Sequence, residues 1–124
     1  MKTWEVNGIS LDIDLSDADC MERVENAFEK MKNSESILKK DGKQSERIRA
    51  YCGLFRTLFS DIFGEDDADR IFKDIPTSTT EYERIYVSFL DTVRAQTEEV
   101  RKSRADMISK YIPKNRKQRR AVRK

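Results

Sequence analysis

Apolar and polar residues alternate at the start of the chain, where Thr3-Trp4-Glu5-Val6 and Ile9-Ser10-Leu11-Asp12-Ile13 flank Asn7-Gly8. Asn-Gly supplies the two positive-φ positions of a type I′ turn, so the pattern predicts a β-hairpin within residues 3–13. A two-residue turn places Trp4, Val6, Ile9, Leu11 and Ile13 on one face. A lone hairpin is marginal in water, so that face must pack on helices or on another chain.

From Ser16 onward the period changes to that of a helix. Ser16 is read as the N-cap of the first helix, with Asp17 and Asp19 at its positive end. Cys20, Val24, Ala27, Phe28 and Met31 form its stripe, which Ile37 and Leu38 continue less regularly before Asp41-Gly42 breaks the chain. A second helix, about 44–63, is the most hydrophobic. Ile48, Tyr51, Cys52, Phe55, Leu58, Phe59, Ile62 and Phe63 recur at steps of three and four, Leu54 widens the stripe, and Gly64 stands at its end. Gly53 inside this helix costs about 1 kcal/mol against Ala, so a closely approaching neighbour helix is expected there. A short acidic helix from Asp66 to about Lys73 follows, closed by Pro76.

Ser78-Thr79-Thr80-Glu81 reads as a capping box for a last helix, uninterrupted by Gly or Pro from Thr79 to Ile112. Its first half is amphipathic through Tyr82, Ile85, Tyr86, Phe89, Leu90 and Val93. In its second half the a positions stay apolar (Tyr86, Val93, Val100, Met107) while the d positions turn polar at Gln96 and Ser103. So thin a stripe, ending in Met107, Ile108 and Tyr111, predicts that the distal half projects from the core towards a second subunit or a partner. The fold class expected is mainly α. An N-terminal β-hairpin precedes a small antiparallel helical bundle with one long C-terminal helix, and residues 1–112 form a single domain.

Charge adds a second division. Residues 113–124 contain seven basic side chains (Lys114, Arg116, Lys117, Arg119, Arg120, Arg123 and Lys124) and no acid, whereas residues 1–112 carry 18 basic against 23 acidic, a net of −5. Such a run repels itself and has little to bury, which predicts a flexible, disordered tail. Its cations suit phosphates or an acidic protein surface, and no aromatic follows Tyr111 for base stacking. Candidate partner-binding residues are therefore Lys114, Arg116, Lys117, Arg119, Arg120 and Arg123 of the tail, with Val100, Met107 and Tyr111 of the long helix.

Candidate chemistry is scarce. At 124 residues the chain suits one domain, and 39% charged residues against 37% hydrophobic is charge-rich without being a disordered composition. Histidine is absent, which removes the commonest general base and metal ligand. Cys20 and Cys52 lie on apolar faces and read as reduced core thiols, and the four glycines are too scattered for a phosphate-binding loop. Glu65-Asp66-Asp67-Ala68-Asp69 lacks the spacing of a calcium loop and is read as acids favoured by a helix N-terminus. No signal segment or membrane span is evident. The expectation is a non-enzymatic, cytoplasmic binding protein with no cofactor and no metal.

Three stretches resemble the small tail assembly chaperones of long-tailed bacteriophages and prophages, or a related prophage tail-cluster family. They are Phe55 to Phe72, with Ile62-Phe63-Gly64-Glu65-Asp66 and Arg70-Ile71-Phe72; the Tyr82 to Leu90 helix; and the end, Tyr111-Ile112-Pro113 with Asn115-Arg116-Lys117-Gln118-Arg119-Arg120, similar to NRxQRR-type basic ends. The likeness covers roughly residues 50–124. It implies a helper that holds the long helical tape measure protein in the bacterial host cytoplasm while tail-tube subunits polymerise around it, with homo-oligomerisation possible. The alternative reading, from charge alone, is a small nucleic-acid-binding protein using its basic end.

Overall fold

A computed structural model describes residues 2–38 and 41–111, the last two by backbone alone. Two strands, β1 (Thr3–Val6) and β2 (Ile9–Asp12), precede four helices, α1 (Ala18–Ser36), α2 (Gln44–Phe63), α3 (Glu65–Ile71) and α4 (Thr79–Tyr111). The protein is thus mainly helical with an N-terminal hairpin, as the periodicity predicts. The tail lies outside the described residues, apart from which the expected bounds of α2 and the start of α4 coincide with those observed.

Asn7 and Gly8 both take positive φ, 48° and 80°, and set the register Val6↔Ile9 and Trp4↔Leu11. That register turns Trp4, Val6 and Leu11 inward, and Ile13, one residue past β2, follows them. The hairpin face lands on α2 and α4. The Trp4 ring stacks on Phe59 at 5.2 Å and Phe63 at 5.8 Å, and meets the edge of Phe89 at 5.0 Å. Its indole N–H donates to the Ser88 hydroxyl at 3.1 Å, which satisfies the one polar atom of an otherwise apolar burial. At the turn, the Asn7 amide donates to the Ile71 carbonyl at 2.8 Å, tying the hairpin to the last turn of α3.

Around Trp4 the aromatic rings form a continuous core. Tyr51 reaches Glu83, Phe55 meets Tyr86 and Phe59 meets Phe89, so positions advance together along α2 and α4 and the two helices run in the same sense. The α3 segment makes this possible by carrying the chain back between them. Phe72 links the layers by packing on both Phe59 and Tyr82. Gly64 ends α2 and begins α3 at φ 98° and ψ 159°, a backbone conformation almost confined to glycine. Helices α1 and α2 pack against one another across a short connection.

Four local expectations change. The N-cap of α1 is Asp17, whose carboxylate accepts from the Cys20 amide at 2.9 Å, and not Ser16. Both the amide and the hydroxyl of Ser16 are drawn to the Asp14 carboxylate, which holds the Asp14 carboxyl below its usual range. Ile37 caps the end of α1 and is 83% exposed, so it does not continue the buried stripe. The third helix ends at Ile71, and Asp74 at φ 62° turns the chain before Pro76 is reached. No helix among the described residues comes close to Gly53: a methyl group built there meets no neighbouring atom within 4 Å. It lies instead along an open groove of about 230 Å³ between α1 and α2, beside Ala50, Met31 and Ser34.

Candidate functional site

Proximal α4 is fixed by burial. Ser78 accepts from the Glu81 amide through its hydroxyl at 3.4 Å and from the Tyr82 amide through its carbonyl at 2.9 Å, which starts the helix. Tyr82, Ile85 and Phe89 then enter the core at successive turns. After the half-buried Val93, Gln96 was expected to weaken the stripe, yet it is buried to 6% exposure. Its carboxamide accepts from the Leu15 amide at 3.0 Å and donates to the Ile13 carbonyl at 2.8 Å. These backbone groups leave β2 without ladder partners, and an amide is the side chain that supplies both a donor and an acceptor. Gln96 is therefore the last firm anchor of α4 on the body.

Beyond it the helix leaves the body. Lys2 and Glu99 pair at 3.6 Å, Val100 is half-buried, and every residue from 101 to 109 is exposed. Met107 is 58% and Ile108 51% exposed, large apolar side chains on helix surface that no described part of the chain covers. Arg101 pairs with Glu98 at 2.8 Å, which raises the guanidinium's pKa. The eleven residues from Arg101 to Tyr111 extend the helix by about 16 Å at 1.5 Å per residue.

Of the partner-binding candidates, Val100 and Met107 lie seven residues apart along this one helix, on its continuing inward-register face. Tyr111 is the last described residue of α4. Lys114, Arg116, Lys117, Arg119, Arg120 and Arg123 lie outside the described residues. Ile108 belongs with the exposed apolar set although it falls off the a/d spacing. Where the body stops, the charge also changes. Residues 101–124 hold eleven basic side chains and one acid, Asp106, against fourteen basic and twenty-two acidic in residues 1–100.

The other chemistry-bearing groups are tied into structure. Cys20 and Cys52 are buried, and burial pushes the Cys52 thiol above its ordinary pKa, away from the reactive thiolate. The Tyr51 hydroxyl donates to the Glu83 carboxylate at 2.7 Å. Among the run Glu65–Asp69, the first three acids occupy the first turn of α3, Asp67 pairs with Arg70 at 2.9 Å and Asp69 with Arg56 at 3.0 Å. No group of three or more potential metal-ligating side chains gathers among the described residues. No helix among them is long and apolar enough to cross a membrane.

Comparison with known proteins finds no match among curated proteins or solved structures. A family model does match, over residues 7–123, a span that includes the hairpin turn, the whole helical body and nearly all of the basic end. The chain belongs to the family of unknown function DUF6673.

Proposed function

We propose that the protein is an interaction protein of the kind that assists phage or prophage tail assembly, binding the tape measure protein in the host cytoplasm and catalysing no reaction. The observation that carries this reading is the projecting end of α4. Helix that leaves its own domain with Met107 and Ile108 uncovered is built for contact, and the basic residues that follow add electrostatic capture. The resemblance of residues 50–124 to tail assembly chaperones supplies the partner. A long helical protein awaiting its tube offers repeated apolar stripes, and a small module with one exposed stripe suits such a surface.

The test is co-expression with the tape measure protein encoded beside the major tail protein of the same phage or prophage. Co-purification and increased solubility of that partner are expected, with both lost when residues 101–124 are deleted. No complex and unchanged solubility would overturn the proposal.

The charge division favours a second reading, a small nucleic-acid-binding protein. Eleven cations within residues 101–124 would give binding that is insensitive to sequence and falls steeply with salt. Retardation of duplex DNA or RNA at low salt, lost on deletion of residues 113–124, supports it. No retardation at low salt removes it.

A further inference from the structure

We infer that the cleft along β2 is a docking site for an extended peptide segment of a partner protein, which joins the hairpin as a third strand. This contact is separate from the projecting end of α4 and does not rest on the function proposed above. Its first ground is the free edge of β2. The Ile13 amide donates to the Lys2 carbonyl at 3.0 Å, so the hydrogen-bonded pairs of this antiparallel ladder are Lys2–Ile13, Trp4–Leu11 and Val6–Ile9. The alternate residues, Ser10 and Asp12, turn their backbone N–H and C=O groups away from β1, and no described group bonds to them there. Such an edge is a template for another extended chain, which offers acceptors and donors at the same two-residue repeat.

The second ground is what faces that edge. Ser10, Leu11 and Asp12 border a cleft of about 540 Å³ whose other walls include Arg23 of α1, Phe63 of α2 and Arg70 of α3. That volume lies within the roughly 300–1,000 Å³ of ligand-binding clefts. Strand β1, by contrast, packs beside α4, where Trp4 bonds Ser88 and Lys2 pairs with Glu99. Ile62 and the half-buried Phe63 also line the cleft and give an apolar strip for the peptide side chain opposite the inward-turned Leu11. With α1 and α3 on its far side the cleft takes one strand, whereas a second copy would have to bring a whole hairpin through it.

The third ground is charge. Asp61 and Asp67 of the cleft are engaged, with Lys30 at 3.3 Å and Arg70 at 2.9 Å. Arg23 and Asp12 are its charges that no described group pairs. Arg23 calls for a carboxylate on the incoming segment, and Asp12 for a cation on the residue opposite it. The occupant is therefore an extended segment with an apolar residue and charged side chains of both signs, its acid directed to Arg23.

The full-length protein is used to select from a displayed library of random linear peptides of about eight residues, long enough to span β2 with both flanks. The best binder is then synthesised with a fluorophore. Its binding is expected to slow deuterium exchange of the Ser10 and Asp12 amides. Methyl groups on one alternate set of the peptide's backbone nitrogens should weaken binding by about tenfold or more, a loss of at least about 1.4 kcal/mol. Methyl groups on the other set should cost little, because only one edge of the peptide faces β2. Arg23→Glu, a change at an exposed side chain with no described partner, should weaken binding about as much, and a peptide with Lys in place of its acid should restore it. Binding should persist when residues 101–124 are deleted. Recovery of no peptide, or an equal response to the two methylated sets, overturns the strand site. Binding unaffected by Arg23→Glu overturns the acidic occupant, and loss of binding on deletion of residues 101–124 overturns the placement at β2. Ser10 and Asp12 amides whose protection in the free protein rises with its concentration replace the peptide by a second copy.

Discussion

Between Thr79 and Gln96, α4 inserts Tyr82, Ile85, Phe89 and Gln96 into the body, while between Arg101 and Ser109 the same helix, in the same register, buries nothing. Local helix propensity does not distinguish the halves, because neither contains Gly or Pro. What distinguishes them is what the rest of the chain brings alongside. Trp4 of the hairpin, Phe59 of α2 and Phe28 of α1 converge on Phe89, whereas among the described residues Met107 stays 58% exposed. The proximal half is thus held by tertiary packing, and the distal half by its own hydrogen bonds and surface pairs such as Arg101–Glu98. A helix can be read from periodicity, but its role depends on the partner surface.

The sharpest way to break this contrast is a matched pair of truncations. Phe89→Ala removes a ring at 0% exposure that touches Trp4, Phe59, Phe63 and Phe28, and should cost about 3–5 kcal/mol. Met107→Ala should change stability by no more than about 0.5 kcal/mol. Urea unfolding measures both. A cost of 2 kcal/mol or more at Met107, on the scale of about 2–5 for a buried methionine, would mean that the distal half packs on the body after all.

Gln96 marks the border and gives the next largest effect. Gln96→Leu keeps the volume but strands the Leu15 amide and the Ile13 carbonyl, at a cost of about 2 kcal/mol or more. Exchange of the Leu15 amide with deuterium should accelerate in the variant. Unchanged exchange would show that the β2–α1 connection does not depend on α4.

Gly53 is the place where the body resembles the arm, a helix surface with open space beside it. Gly53→Ala introduces a methyl group with no neighbour within 4 Å, so the variant should be more stable by about 1 kcal/mol through helix propensity. A destabilised variant would show that something closes on this groove.

How legible these features were in the chain follows from how local their causes are. Asn7-Gly8 fixes the hairpin and its register because positive φ at two adjacent residues admits few alternatives. The bounds of α2 follow from an apolar stripe and a terminal glycine, and the departure of α4 from the body follows from its thinning stripe. The errors come from competition at a distance or between equals. Ser16 and Asp17 both suit an N-cap, and Asp14 decides the matter by engaging Ser16. Gln96 looks like a defect until Ile13 and Leu15, more than eighty residues earlier, are seen to need its amide. Gly53 suggested a neighbour that does not come, because glycine's permissiveness has no single structural use. Within the candidate site, Val100 and Met107 read as a-position residues, and Ile108, already part of the thinning stripe, falls off the a/d spacing and is absent from the candidate contacts.

The smallest effect tests whether the first turns of α4 truly sit on α2. Burial, and then its hydrogen bond to the Glu83 carboxylate, push the Tyr51 hydroxyl up to about 12 from an ordinary value of 10. Because the folded state keeps this proton over a range in which the unfolded chain has lost it, the stabilisation is complete below pH 10 and is lost as pH rises through about 12. Phenolate absorbance during alkaline titration should show a late component that disappears in Tyr51→Phe. Glu83→Gln should bring the Tyr51 titration only part of the way back, since the first cause, burial, persists. A Tyr51 that titrates at the ordinary value in the wild type would remove the Tyr51–Glu83 link between α2 and the second turn of α4.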